Sequence, residues 1–136
     1  MSRQIKFRAW DTLEKRFVYP DKSHQGHYVL DLNGRFHNLQ NGSGGDEYVV
    51  QQFTGLYALD GKEIWEGDLV MSIFEELAEA YFDSETGSYR LKTRSDTTYQ
   101  IIITPASYEK DNLIKNVNVA KTVIGNIFEN SELLKQ

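Results

Sequence analysis

The chain contains no cysteine. That excludes disulfides, thiolate-ligated metal centres and a cysteine nucleophile, and it permits a reducing interior. Proline is scarce at two residues, and ten glycines fall short of a collagen-like or low-complexity composition. No apolar run approaches the roughly 18 residues a membrane helix needs, and the opening MSRQIKFRAW lacks the apolar stretch of a signal peptide. A cytoplasmic protein without membrane association is expected. Phosphate-cradling glycine motifs are missing too. The stretch NGSGGD, residues 41–46, has neither GxxxxGK[ST] nor GxGxxG spacing and leads into strand-like Tyr48-Val49-Val50 instead of a helix. GxSxG does not occur, so no serine sits on a strained strand-to-helix elbow.

What is present suits one folded domain: 136 residues, 40% hydrophobic and 12% aromatic, enough to bury a core unaided. The net charge of −5 conceals an uneven distribution. Residues 1–20 carry five basic and two acidic groups, whereas residues 46–85 carry eleven acidic groups against Lys62 alone. Such a block is most simply a set of solvated strand faces and turns that keep the protein soluble. Its sharper reading is an acidic face that repels or imitates nucleic acid.

Patterning points to strands. Ile5, Phe7 and Ala9 alternate with Lys6, Arg8 and Trp10, the period of a half-buried strand, and residues 17–19 can return beside it. Residues 27–32 and 35–39 flank Asn33-Gly34, a pair that suits a two-residue type I′ hairpin turn. Residues 47–53 read as a strand, followed by reversals at Thr54-Gly55 and Asp60-Gly61 and a bend at Glu66-Gly67-Asp68. Residues 69–74 form an apolar strand. Residues 75–82 fit helix by propensity and strand by alternation; a strand is preferred, because a turn at 83–87 and clean alternation from Tyr89 complete a hairpin. Residues 99–103 are strand-like, Thr104-Pro105 opens a short helix over 105–115, and strand returns at 119–128, with Gly125 as a bulge or close approach and Asn130 capping a last turn.

Three blocks, IKFRAWD at residues 5–11, QFTGL with DGKEIWEGDLV at 52–70, and VIGNIFENSELL at 123–134, together resemble the YopX family of phage and prophage proteins. The resemblance spans both ends and the middle. It implies a mainly β fold, an SH3-like small barrel around the GDLV strand with additional β-hairpins and one or two short helices. It also implies a single domain over 1–136, with a hairpin region at 1–45 and a barrel region at 46–136, and a phage origin. It brings no reaction, ligand or catalytic residues.

The chemistry then rests on the residues themselves. Asp60, Glu63, Glu66 and Asp68 invite a reading as paired acid and base, but turn carboxylates usually brace the backbone through side-chain hydrogen bonds, and Asp68 is expected to do so. His24, His27 and His37, with Asp31, offer nitrogen ligands of the kind zinc takes, which would make a metal-dependent hydrolase; loop and strand histidines are the plainer account. No catalytic residue and no cofactor is expected. Lys6, Arg8 and Trp10, with Tyr57 and Trp65, are the candidate binding residues. They suit a protein partner or self-association, and Lys6, Arg8 and Trp10 form the basic-aromatic mixture that could hold nucleic acid, against which stands a pI near 5.2.

Overall fold

Alternation at the N-terminus becomes a strand as expected, and it organises the first part of the protein. The computed structural model describes residues 4–19, 28–39, 47–103 and 116–135. The chain divides into two units, Met1–Phe53 and Thr54–Gln136. The glycine-rich loop at 41–46 and the helix expected at 105–115 lie outside the described residues. In chain order the first strands are β1 (Phe7–Asp11), β2 (Arg16–Val18), β3 (Tyr28–Leu30), β4 (Phe36–Asn38) and β5 (Tyr48–Tyr57). β1 is antiparallel to β2 on one side and to the first half of β5 on the other. That pairing draws residues 48–53 into the first unit, which ends at Phe53. Ala9, Val18, Phe36 and Tyr48 are buried together, with Tyr28, Leu30 and Val50 against them. The Phe36 ring stacks on Tyr28 at 5.4 Å and meets Tyr48 edge-on at 5.0 Å.

The second unit continues with β6 (Glu63–Trp65), β7 (Asp68–Ser72), β8 (Leu77–Asp83), β9 (Ser88–Thr93), β10 (Thr98–Gln100), β11 (Ile102–Ile103), β12 (Val117–Asn118) and β13 (Ala120–Asn126), followed by a 3-10 helix, Ser131–Lys135. Five strands form an antiparallel sheet in the order β10-β9-β8-β7-β13. The fold is mainly β, with the sheet curled into a half-barrel. Register shifts at Ala120/Thr122 and Val123/Gly125 supply bulges in β13, the irregularity that bends a strand and sharpens its twist. Ile64, Val70, Ala78, Ala80, Leu91, Ile101 and Val119 make the buried core. Residues 77–83 are strand, as their alternation required, because each pairs with a register partner on β9 or β7.

Two turns differ from expectation. At Asn33-Gly34 the loop is longer than a two-residue type I′ turn: Gly34 N–H donates to Asp31 O (3.0 Å), Asp31 N–H donates to Arg35 O (2.9 Å), and only Gly34 takes a left-handed φ, +82°. Asp31 decides this. Its carboxylate accepts the amides of Asn33 and Arg35, which holds a type I turn closed by a left-handed residue. At Thr54-Gly55 there is no reversal. β5 runs on to Tyr57 although Gly55 has φ +84°, because Thr54 Oγ1 donates to Ile64 O (2.6 Å) and accepts from Leu56 N–H (3.1 Å), replacing the ladder bonds lost at the kink.

The Asp31 arrangement recurs in the second unit. Residues 58–62, 72–76 and 93–97 share its two backbone bonds, and the left-handed position is filled by Gly61, Glu75 and Asp96. Side-chain oxygens of Asp60, Ser72 and Thr93 accept backbone amides within these turns. The four-residue loop after β1 ends on a left-handed Lys15 (φ +58°), just as the loop after β8 ends on Gly87 (φ +68°). A side chain with a Cβ is disfavoured there. Lys15→Gly is therefore expected to raise stability by about 0.5–1 kcal/mol, read as a higher urea midpoint at unchanged m-value; a lower midpoint would contradict the strain argument.

Candidate functional site

The acidic residues of the 51–70 stretch are engaged individually. Asp68 is 3% exposed, and its Oδ2 accepts the Trp65 amide at 2.7 Å inside the Glu66-Gly67 bend. This is the backbone brace expected of it. Glu63 accepts the Trp65 indole N–H at 3.3 Å. Asp60 accepts the Lys62 amide and the Thr122 hydroxyl, which ties the 58–62 turn to β13. Lys62 adds a bond from its ammonium to Val123 O at 3.4 Å. A hollow of about 240 Å³ is lined by Glu76, Leu77, Thr93, Arg94 and Ser95. A second, of about 150 Å³, is lined by Asp11, Leu13, Glu14, Arg16, Tyr28, Asn38, Glu47 and Tyr48. Neither contains Asp60, Glu63 or Asp68.

The Thr122 hydroxyl hydrogen bond, helped by the Lys62 amide and ammonium, holds the Asp60 carboxyl below the usual carboxylate range. A folded-state pKa below the unfolded one contributes stability that is present above the unfolded value and lost as pH falls through the folded value. The thermal midpoint of the wild type should therefore fall more steeply below pH 4 than that of Asp60→Asn, the two curves converging at the acid end. Parallel curves from pH 2 to 7 would show that the Asp60–Thr122 tie contributes nothing. Burial acts oppositely on Glu79, raising its carboxyl while Lys92, its cross-strand partner, lowers it.

The residues singled out for binding are placed as follows. Arg8 and Trp10 lie on β1 and meet the same ring, Phe17, while Lys6, just before the strand, lies against a different ring, Phe53. The Lys6 ammonium lies 4.8 Å from the Phe53 ring centroid and the Arg8 guanidinium 4.1 Å from that of Phe17, while Trp10 meets Phe17 edge-on at 4.9 Å. Arg8 Nε also donates to Gln51 Oε1 at 3.0 Å. Arg8 and Trp10 are 5% and 6% exposed. In the second unit Trp65 is buried, whereas Tyr57 is half exposed, its carbonyl accepting the Asn118 side-chain amide at 2.7 Å. His37 Nε2 lies 2.9 Å from Asp31 Oδ2 across the β3–β4 hairpin. His24 and His27 lie outside the described residues. Among the described residues no group of three His, Cys, Asp or Glu side chains could hold a metal ion.

Residues that the sequence patterning did not single out stand at one end of the five-stranded sheet. The Phe74 ring packs 5.0 Å from that of Tyr99, whose hydroxyl donates to Glu76 Oε1 at 2.6 Å. That carboxylate raises the Tyr99 phenol pKa. At the other end, Phe82 and Tyr89 are register partners with ring centroids 5.2 Å apart. Phe74 and Phe82 are 49% and 47% exposed. The β8–β9 hairpin was legible from its turn and alternation, and the structure sets the register that pairs Phe82 with Tyr89. Contact between Phe74 and Tyr99, 25 residues apart, had no local signal.

No curated protein matches the chain. Among solved structures, the crystal structure of protein EF1440 from Enterococcus faecalis is similar, at 26% identity over 98% of this chain and 99% of that chain, with a TM-score of 0.55. No helix among the described residues is long and apolar enough to cross a membrane. A family model described as YopX protein matches residues 6–135. The match begins one residue into the first sequence block and takes in the other two, with the β1 strand, the braced bend before β7 and the β13 terminus, and the chain belongs to the YopX family.

Proposed function

We propose that this protein is a non-enzymatic binding module, encoded by a phage or prophage and working in the bacterial cytoplasm, that engages a protein partner. The observation that carries this is the pair of half-exposed rings, Phe74 and Phe82, each held against a tyrosine. A ring fixed before binding loses little rotamer freedom when it is covered, which is how aromatic anchors come to dominate protein interfaces. Tyr57 and Leu59, both exposed, add apolar surface to the same unit. The carboxylates of the 51–70 stretch argue for binding over catalysis, because Asp60, Glu63 and Asp68 already serve backbone, hydroxyl or indole donors. The N-terminal basic-aromatic strand supports nucleic-acid binding less well. Base stacking and phosphate neutralisation need open rings and cations, and Arg8 and Trp10 are buried against Phe17.

Capture from nuclease-treated bacterial lysate on the immobilised full chain tests the reading. A protein retained by the wild type and lost with Phe74→Ala combined with Phe82→Ala is expected. Capture that disappears when nucleic acid is digested would transfer the role to nucleic acid, and capture unaffected by the double variant would remove these rings from it.

A further inference from the structure

The hollow at the turn end of the five-stranded sheet has a cation problem that suggests its occupant. Among the described side chains of the second unit, Lys62, Arg90, Lys92 and Lys121 each face a carboxylate, from Asp60, Asp83, Asp96 and Glu75 at 3.9, 3.9, 3.5 and 2.8 Å. Arg94 has no such partner among the described residues, and it lines the hollow of about 240 Å³. The walls are held in place before any ligand arrives. Ser72 Oγ accepts the amides of Phe74 and Glu76, and Thr93 Oγ1 accepts the Thr97 amide and lies 3.1 Å from Ser95 Oγ, so both flanking turns are pinned. Tyr99 holds Glu76 by its hydroxyl and Phe74 by its ring. Half-buried Leu77 supplies apolar lining.

We infer that this hollow receives an extended segment of a partner protein carrying an acidic side chain next to an aromatic or aliphatic one. The acid is read by Arg94, and its apolar neighbour rests on Leu77, beside the turn that carries Phe74. The inference rests on the protein-binding reading above and gives it a site. Size favours a side chain over a cofactor, since small-molecule sites run to roughly 300–1,000 Å³ and this hollow, at about 240 Å³, lies below that range. Charge decides against nucleic acid. Glu75 and Asp96 on the flanking turns are already matched by Lys121 and Lys92, which leaves Arg94 as the one unmatched cation at the hollow among the described residues, and a single guanidinium cannot hold a run of phosphates. It can hold a single carboxylate through paired N–H donors.

The test uses the full chain, labelled with nitrogen-15, and two blocked pentapeptides: acetyl-Ser-Phe-Asp-Leu-Ser-amide and its counterpart with asparagine in place of aspartate. The aspartate peptide should shift amides confined to residues 72–77 and 93–99. The asparagine peptide should bind about tenfold more weakly, the loss of one charge-assisted contact. Arg94→Glu should abolish binding while leaving the melting temperature unchanged, because Arg94 is exposed, and Arg94→Lys should bind between the two. Equal binding of the peptides, shifts elsewhere, or no shift at 10-fold the concentration expected for a weak site, about 10 mM, would each overturn the site. The two readings fail separately. A lysate protein captured equally by wild type and Arg94→Glu leaves the binding module standing and removes this hollow; failure of peptide binding and lysate capture together removes both.

Discussion

Asp68→Ala is expected to lower the unfolding free energy by about 3 kcal/mol, and Asp68→Asn by about 1 kcal/mol, both read by urea unfolding with tryptophan fluorescence. Gly67, with φ of +86°, lets the chain turn within two residues between β6 and β7. That turn leaves the Trp65 amide pointing inward, and the Asp68 carboxylate accepts it at 2.7 Å in a buried setting. The bend is clamped on both flanks, since Gly67 N–H donates to Ala80 O (2.8 Å) and Gly67 O accepts from Ile127 N–H (2.9 Å). It cannot relax outward to find water. Alanine therefore leaves a buried amide unsatisfied. Asparagine keeps an acceptor oxygen in the same place. Equal losses for the two variants would show that the hydrogen bond is not what Asp68 supplies.

The second large effect is at Gly125. A Cβ built there would run into the Asn130 side chain, with Asn130 Cγ 2.6 Å away. That side chain has no room to leave without cost. Its Oδ1 accepts the Asn126 amide at 3.1 Å, while Asn126 Oδ1 accepts the amides of Phe128 and Glu129 and Asn126 O accepts the Asn130 amide. Gly125→Ala should cost about 2 kcal/mol through this overlap. Asn130→Ala should cost about 1 kcal/mol for the lost acceptor. In the double variant the methyl group has space, so the two costs should combine to clearly less than their sum. Additive losses would place the strain in the backbone at Gly125 and not in its contact with Asn130. The same geometry revises the expected cap: Asn130 opens the final 3-10 helix with its backbone carbonyl, which accepts from Leu133 N–H, while its side chain turns back to Asn126.

Strands were legible wherever one face is buried and the other is wet, because the period of two is then imposed by solvent. Residues 77–83 and 88–93 are such cases, whereas residues 7–11 kept the alternation of residue types although Arg8 and Trp10 on the second face are buried as well. Turns were legible in place and not in type. Asn33-Gly34 lies where a hairpin turns, but the loop geometry came from the Asp31 carboxylate, two residues earlier. Thr54-Gly55 carried the composition of a turn, and a side chain bonding to Ile64 kept it within β5. Glycine announces only that a left-handed angle is allowed. Neighbouring acceptors decide whether the chain reverses there.

The candidate site was less legible still. Arg8 and Trp10 were correctly placed on one face of β1, and pattern alone could not say that Phe17 and Gln51 would occupy them. Composition and periodicity by themselves determined a β-rich chain without thiol chemistry, with acids concentrated in residues 46–85 and turns at known points, since these depend on residue type and near neighbours. Which carboxylates are spent on backbone amides, which rings remain half open, and which arginine lacks an acid were decided by the tertiary structure, since each depends on groups far apart in the chain meeting within a few ångströms.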